Sequence, residues 1–230
     1  MISMANVDYE INTIYGKKKL LSGLNRNFYP NEHVGIIAAA GEGKSSLAKL
    51  LSGIEVPTKG LITHTSSVSW PIGFAGAFHP DLNGYENIEI IARLIGEDPA
   101  YIISFCHVFG QLQREMSKPL KRLSPASRAI LAYCCSMAVY KDIFIADGII
   151  SVGDIDMRKK CDELVYRLLE NSGLIFLSKN IKQLKQFCTQ FLVLIDGKLQ
   201  PCSSPEIGFQ AAQMWEKEKK NYLMDIENER

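Results

Sequence analysis

One short loop concentrates the residues of this chain that could do chemistry. Ala38-Ala39-Ala40-Gly41-Glu42-Gly43-Lys44-Ser45 follows the pattern G-x-x-x-x-G-K-[ST], with Ala38 in place of the first glycine. The apolar run Val34-Gly35-Ile36-Ile37 leads into it, and Ser46-Leu47-Ala48-Lys49-Leu50-Leu51 continues from it with helical spacing. A strand, a loop of small residues and a helix start form the context in which such a loop cradles phosphate, because consecutive N–H groups and the helix N-terminus face an anion. Gly41 and Gly43 let the backbone curl. Lys44 reaches the β- and γ-phosphates of a nucleotide, Ser45 offers a hydroxyl to Mg²⁺, and Ser46 completes the candidate phosphate-binding set. Asp147 closes a second apolar strand, Ile143-Phe144-Ile145-Ala146. There it could hold the water shell of the same Mg²⁺, although alone it reads equally well as a cap on the following loop.

These groups need a sheet to position them. Strand-like segments run over Ile2 to Tyr9, Leu20 to Phe28, Gly60-Leu61-Ile62 and Val68-Ser69-Trp70, and later over Ile143 to Asp147, Leu174 to Leu177, Phe191 to Ile195 and Lys198 to Cys202. Helical spacing predicts helices from Gly84, over Pro99 to Val108, Ser124 to Tyr140 and Ile155 to Glu170, and near Ile181. Strands alternating with helices predict an α/β fold with a sheet, and the helix-rich insert from roughly 84 to 140 predicts a helical subdomain. The last stretch, Ala211 to Arg230, is charge-dense and predicts a solvated helix with a frayed end.

The bulk composition excludes several classes. Apolar content is 47% and charged content 22%, the proportions of a water-soluble domain. A net charge of +1 argues against a dedicated nucleic-acid binder, which would usually carry a basic stripe, so no nucleic-acid partner is expected. The longest near-apolar run, Ala129 to Val139, falls short of the ~20 residues that cross a bilayer. No signal peptide is expected at the N-terminus. The six cysteines are scattered without metal-ligand spacing, as expected of reduced, buried thiols.

Leu123-Ser124-Pro125-Ala126-Ser127 opens a long apolar helix upstream of Asp147. With it, the sequence resembles the ATP-binding subunits of ABC transporters, and more closely those that export capsular polysaccharide across the inner membrane of Gram-negative bacteria. The phosphate loop, Ser69-Trp70-Pro71-Ile72-Gly73-Phe74-Ala75-Gly76-Ala77-Phe78, Leu82-Asn83-Gly84-Tyr85-Glu86-Asn87, Ser136-Met137-Ala138 and Val152-Gly153-Asp154 carry the resemblance, which continues through Cys161 and Phe187-Cys188 over nearly the whole chain. It implies one ATP-binding domain over residues 1–230, with a RecA-like core, an antiparallel β subdomain, a helical subdomain and a charged C-terminal helix from about 205. It implies ATP and Mg²⁺ as cofactors. It also implies a head-to-tail dimer in which one subunit's loop meets the signature of the other, here Ser124 and Ala126. The dimer is either a homodimer or a pair with an intact paralogue. The remaining implication is a membrane permease partner, received around Phe74 to Leu82 and the helical insert at the cytoplasmic face of the inner membrane. Tyr15 stands about where the family stacks an aromatic ring on adenine, a place an ordinary strand-end tyrosine would also fill.

The same resemblance exposes departures. Gly148 occupies the position of the glutamate that polarises the attacking water, and Lys179 that of the switch histidine. No Gln lies between residues 51 and 110, although the polysaccharide-export branch often lacks that residue. Pro125 has no N–H to donate, and Ala126 adds a methyl where close phosphate approach favours glycine. A general base is worth about 10²–10⁴ in rate, and neither Gly148 nor charged Lys179 supplies one. Nucleotide binding is expected to persist, weakened by Ala38 stiffening the loop and Glu42 near phosphate, while hydrolysis is impaired. Asp154 is one candidate to replace the lost glutamate. A nucleotide-gated regulatory protein without transport turnover is the alternative. A P-loop kinase or GTPase ranks last, because a guanine-specifying Asn-Lys-x-Asp is absent.

Overall fold

The computed structural model describes residues 1–14 and 16–228. Strands β1 (Ile2–Thr13) and β2 (Gly16–Phe28) pair antiparallel, and β4 (Lys59–His64) joins the other edge of β1, giving the order β2-β1-β4. The second sheet contains β3 (His33–Ala38), β5 (Val68–Pro71), β6 (Ile143–Asp147), β7 (Gly173–Leu177), β8 (Gln190–Ile195) and β9 (Lys198–Cys202), in the order β5-β6-β7-β3-β8-β9. Its first five strands are parallel and β9 runs antiparallel to β8. The central strands are continuous apolar runs because both faces are covered, as parallel sheets require.

The two-residue period of the strands divides the core. Ile36, Ile145, Ile175 and Leu177 face one way, toward α1 (Lys44–Leu51) and the antiparallel sheet. Ile37, Phe144, Phe176 and Val193 face the other way, toward α4 (Pro125–Met137), α5 (Ile155–Leu169), α6 (Ile181–Phe187) and α7 (Pro205–Asn228). A third core joins α2 (Gly84–Ile95), α3 (Pro99–Val108) and α4 around Ile88, Ile102, Cys106, Leu131 and Cys134. All six cysteines are free thiols and five of them are buried.

The structure corrects the reading of the C-terminal helix as solvated. Phe209, Ala212 and Trp215 recur at helical spacing and pack onto the parallel sheet, so the described first half of α7 has a buried stripe under its charged surface.

Candidate functional site

Three adjacent parallel strands, β6-β7-β3, bring the candidate residues to one edge of the sheet. Asp147 registers with Leu177, and Leu177 with Ile36, so the strand ends lie level. The Gly148 N–H donates to Leu177 O at 2.8 Å and the Ser178 N–H to Ile36 O at 3.0 Å, which carries the ladder past the strands into the loops. This carboxyl edge is where open α/β sheets bind ligands.

Ala38 is the last residue of β3. It registers with Leu194 and is 1% exposed, so its methyl belongs to the core and the expected stiffening falls on a strand residue, before the turn begins. The turn itself uses Gly41 (φ 74°) and Gly43 (φ 87°), left-handed conformations that cost a side chain dearly. Gly43 is the N-cap of α1 and no side chain caps that helix. The first-turn N–H groups beside Lys44, Ser45 and Ser46 are therefore not engaged by a capping side chain, the arrangement an anion completes.

Beneath this turn, Lys44 Nζ forms an ion pair with Asp147 Oδ1, their side chains being 24% and 21% exposed. A phosphate placed in the turn would compete with Asp147 for that ammonium and would free the carboxylate for a cation. Ser45 and Asp147 provide a hydroxyl and a carboxylate, hard oxygen donors that suit Mg²⁺. Among the described residues no cluster of three or more His, Cys, Asp or Glu side chains forms a metal cage.

The positions tied to hydrolysis lie close by. Gly148 has φ 73°, and a Cβ placed on it would stand 3.8 Å from Lys44 Nζ, so the position expected to carry a glutamate lies beside Lys44 and has no acceptor. Lys179 Nζ lies 3.5 Å from Glu216 Oε1. Asp154 is committed elsewhere: it caps α5 by accepting the Met157 N–H at 2.9 Å.

Two groups on α7 escaped the sequence reading. The Ala40 N–H, in the middle of the phosphate loop, donates to Glu216 Oε1. Glu42, 5% exposed, accepts Lys219 Nζ at 2.6 Å and the Asp196 N–H at 3.1 Å. The expected repulsion between Glu42 and phosphate is therefore offset, since the loop's own carboxylate is already paired. Glu216 is held below the ordinary carboxylate range, first by the Ala40 N–H and then by Lys179 and Lys220. The sequence signal was the apolar stripe beneath these charges, which seats their helix on the sheet.

Ser124 and Ala126 lie apart from this cluster, both exposed at the start of α4. Ser124 is the N-cap, accepting the Ser127 N–H at 3.0 Å, and Pro125 sits in the first turn, where a missing N–H costs the helix nothing. Ser136, 4% exposed, accepts Trp70 Nε1 at 2.6 Å and the Gly73 N–H at 3.2 Å, which fixes the Trp-Pro-x-Gly segment. Asn83 and Glu86 form a capping box on α2, and Asn87 bonds to His79, Leu82 and Asn83, shaping the loop before that helix. Tyr15 lies outside the described residues.

The sheet order, the glycine turn and the Lys44–Asp147 pair define a P-loop nucleotide-binding fold. The family model described as "ABC transporter" matches residues 21–151, and the chain belongs to the ABC transporter family as an ATP-binding domain. It is 34% identical to the ATP-binding protein BexA of Haemophilus influenzae over 197 residues, 86% of this chain and 91% of that one. It is 34% identical to the capsule polysaccharide export ATP-binding protein CtrD of Neisseria meningitidis over 86% of this chain and 92% of the other. The polysialic acid transport ATP-binding protein KpsT of Escherichia coli is 33% identical over 82% and 87%. Among solved structures, a dimeric post-hydrolysis state of the ATP-binding cassette MJ0796 bound to ADP and Pi superposes with a TM-score of 0.72 at 18% identity, covering 87% of this chain and 97% of that one. An ATP-binding subunit of an ABC transporter gives 0.72 at 13%, covering 93% and 99%. These last two likenesses establish the fold.

Proposed function

We propose that this chain is the ATP-binding subunit of an exporter of capsular or related cell-surface polysaccharide, with its hydrolytic machinery impaired. The observation that carries the binding half is the loop of Ala40 to Ser46, with Lys44 and Asp147 joined beneath it. The observation that carries the impaired half is Gly148, which presents no acceptor beside Lys44. The names of the relatives support the cargo class.

In this reading Gly41, Gly43, Lys44, Ser45 and Ser46 hold the phosphates of ATP, Ser45 and Asp147 hold Mg²⁺, and Tyr15 stacks on the base. Ser124 and Ala126 face the loop of a second subunit, either a copy of this chain or an intact paralogue. The helical region of about 84–140 acts as a subdomain that, with Phe74 to Leu82, receives a membrane permease. Among the described residues no helix is long and apolar enough to cross a membrane, so attachment to the cytoplasmic face of the inner membrane runs through that partner. When bound, Mg²⁺ would neutralise charge on the phosphates held by Lys44 and the loop N–H groups; at the two positions expected to serve hydrolysis, neither Gly148 nor charged Lys179 offers a base.

Two experiments test this. Lys44→Ala should weaken MgATP binding by about tenfold or more, since charge-assisted contacts are each worth about 1.5–3 kcal/mol; unchanged binding would remove the phosphate-loop assignment. The tagged chain, purified from detergent-solubilised membranes, should bring down a polytopic membrane protein. Recovery without one would favour the second reading, a nucleotide-gated regulatory protein, which the losses at Gly148 and Lys179 also suit.

A further inference from the structure

The phosphate loop and α7 hold each other in both directions. The loop's Ala40 N–H is taken by Glu216 Oε1 of the helix, while the loop's Glu42 takes Lys219 Nζ of the helix at 2.6 Å. Glu216 and Lys219 are three residues apart and so lie on one helix face. Asp147 on Lys44 and Glu216 on Ala40 together mean that internal carboxylates occupy both kinds of phosphate partner the loop offers, its ammonium and one of its N–H groups.

We propose that α7 is an autoinhibitory latch: the Glu216 carboxylate stands in for a phosphate oxygen on the loop, and MgATP engages fully only as Glu216 gives up the Ala40 N–H and this part of α7 lifts. The proposal rests on the reading of residues 38–46 as a nucleotide-phosphate loop. A carboxylate and a phosphate seek the same backbone donor, and two anions drawn to one N–H repel each other at contact distance.

The latch is built to open. Glu216 does not depend on the loop alone, since Lys179, 3.5 Å away, is a second partner for its carboxylate. Docked α7 buries the indole N–H of Trp215 without an acceptor among the described residues. Lifting restores that N–H to water and removes a standing desolvation penalty. The geometry speaks against Glu216 acting as the missing base. A carboxylate stabilised in its charged form by a backbone N–H and a lysine is a weak proton acceptor, and here it occupies a donor that binding needs.

The test is calorimetric titration of the full chain and of Glu216→Gln with MgATP, followed by phosphate release at saturation. Glu216→Gln keeps the size of the side chain and removes the charge, and should bind about tenfold tighter, the scale of one charged hydrogen bond. Equal or weaker binding overturns the latch and leaves the phosphate loop standing. Absence of binding by both proteins overturns the loop reading and the latch with it. Turnover in the wild type that Glu216→Gln abolishes would assign the carboxylate to catalysis and overturn the latch. A second measurement needs no variant: amide hydrogen exchange across residues 211–221 should accelerate when MgATP saturates the wild-type chain. Unchanged exchange during saturable binding contradicts a helix that lifts.

Discussion

At the scale of single residues, Ser136 shows how a buried hydroxyl can hold the Trp70–Gly73 segment in shape. It accepts the Trp70 indole N–H and the Gly73 N–H and donates to Ala132 O at 2.9 Å. Ser136→Ala leaves two donors without this acceptor and should cost about 1–3 kcal/mol in denaturant unfolding; a change within error would mean that other acceptors replace it. Gly148 poses the opposite case, a position where a larger side chain is wanted for chemistry but opposed by the backbone. Its φ of 73° makes Gly148→Glu pay about 1–2 kcal/mol of strain. The variant should therefore unfold earlier yet raise phosphate release, and a flat rate would place the limiting loss at Lys179 or in the signature. The turn before α1 and the strand end at Asp147 were legible in the sequence, because small residues lie between an apolar run and a helical pattern and the second apolar run stops at Asp147. Glu216 was not, because a glutamate in a Lys/Glu-rich run looks solvated until its helix is seen seated on the sheet.

At the scale of elements, legibility followed burial. The strands β3, β6 and β7 stood out as apolar runs because both faces of the sheet are covered. The ends of β1 and β2 did not: Gly16 to Lys19 are exposed, and pairing such as Glu10 with Lys19 and Asn12 with Lys17 carries that ribbon beyond the core. The seat of α7 depends on close approach at Gly208, where an added Cβ would meet Cys202 Sγ at 2.9 Å and Ile37 Cδ1 at 3.1 Å. Gly208→Val should overpack this contact and destabilise the fold by about 1–3 kcal/mol. Wild-type stability in that variant would mean that α7 is not held against β3 as described.

At the scale of the whole molecule, the three cores and two sheets place the glycine turn, Asp147, Gly148 and Lys179 at the ends of neighbouring strands, while Ser124 and Ala126 start α4. The proposed role of Ser124 and Ala126 toward the loop of a second subunit belongs to this scale, and the proposed division of labour follows from it. A homodimer of this chain would carry two sites without a glutamate base, whereas pairing with an intact paralogue would supply one. The family was legible in the sequence because its motifs are short and local. The coupling between loop and C-terminal helix was not, because it joins residues from opposite ends of the chain.

The most direct measurement is MgATP binding and steady-state phosphate release on one purified preparation of the chain, beside Lys44→Ala. The wild type should bind saturably and Lys44→Ala only weakly, with phosphate release near background in both. Release by the wild type that Lys44→Ala abolishes would contradict this and mean that another residue does the work of the missing glutamate.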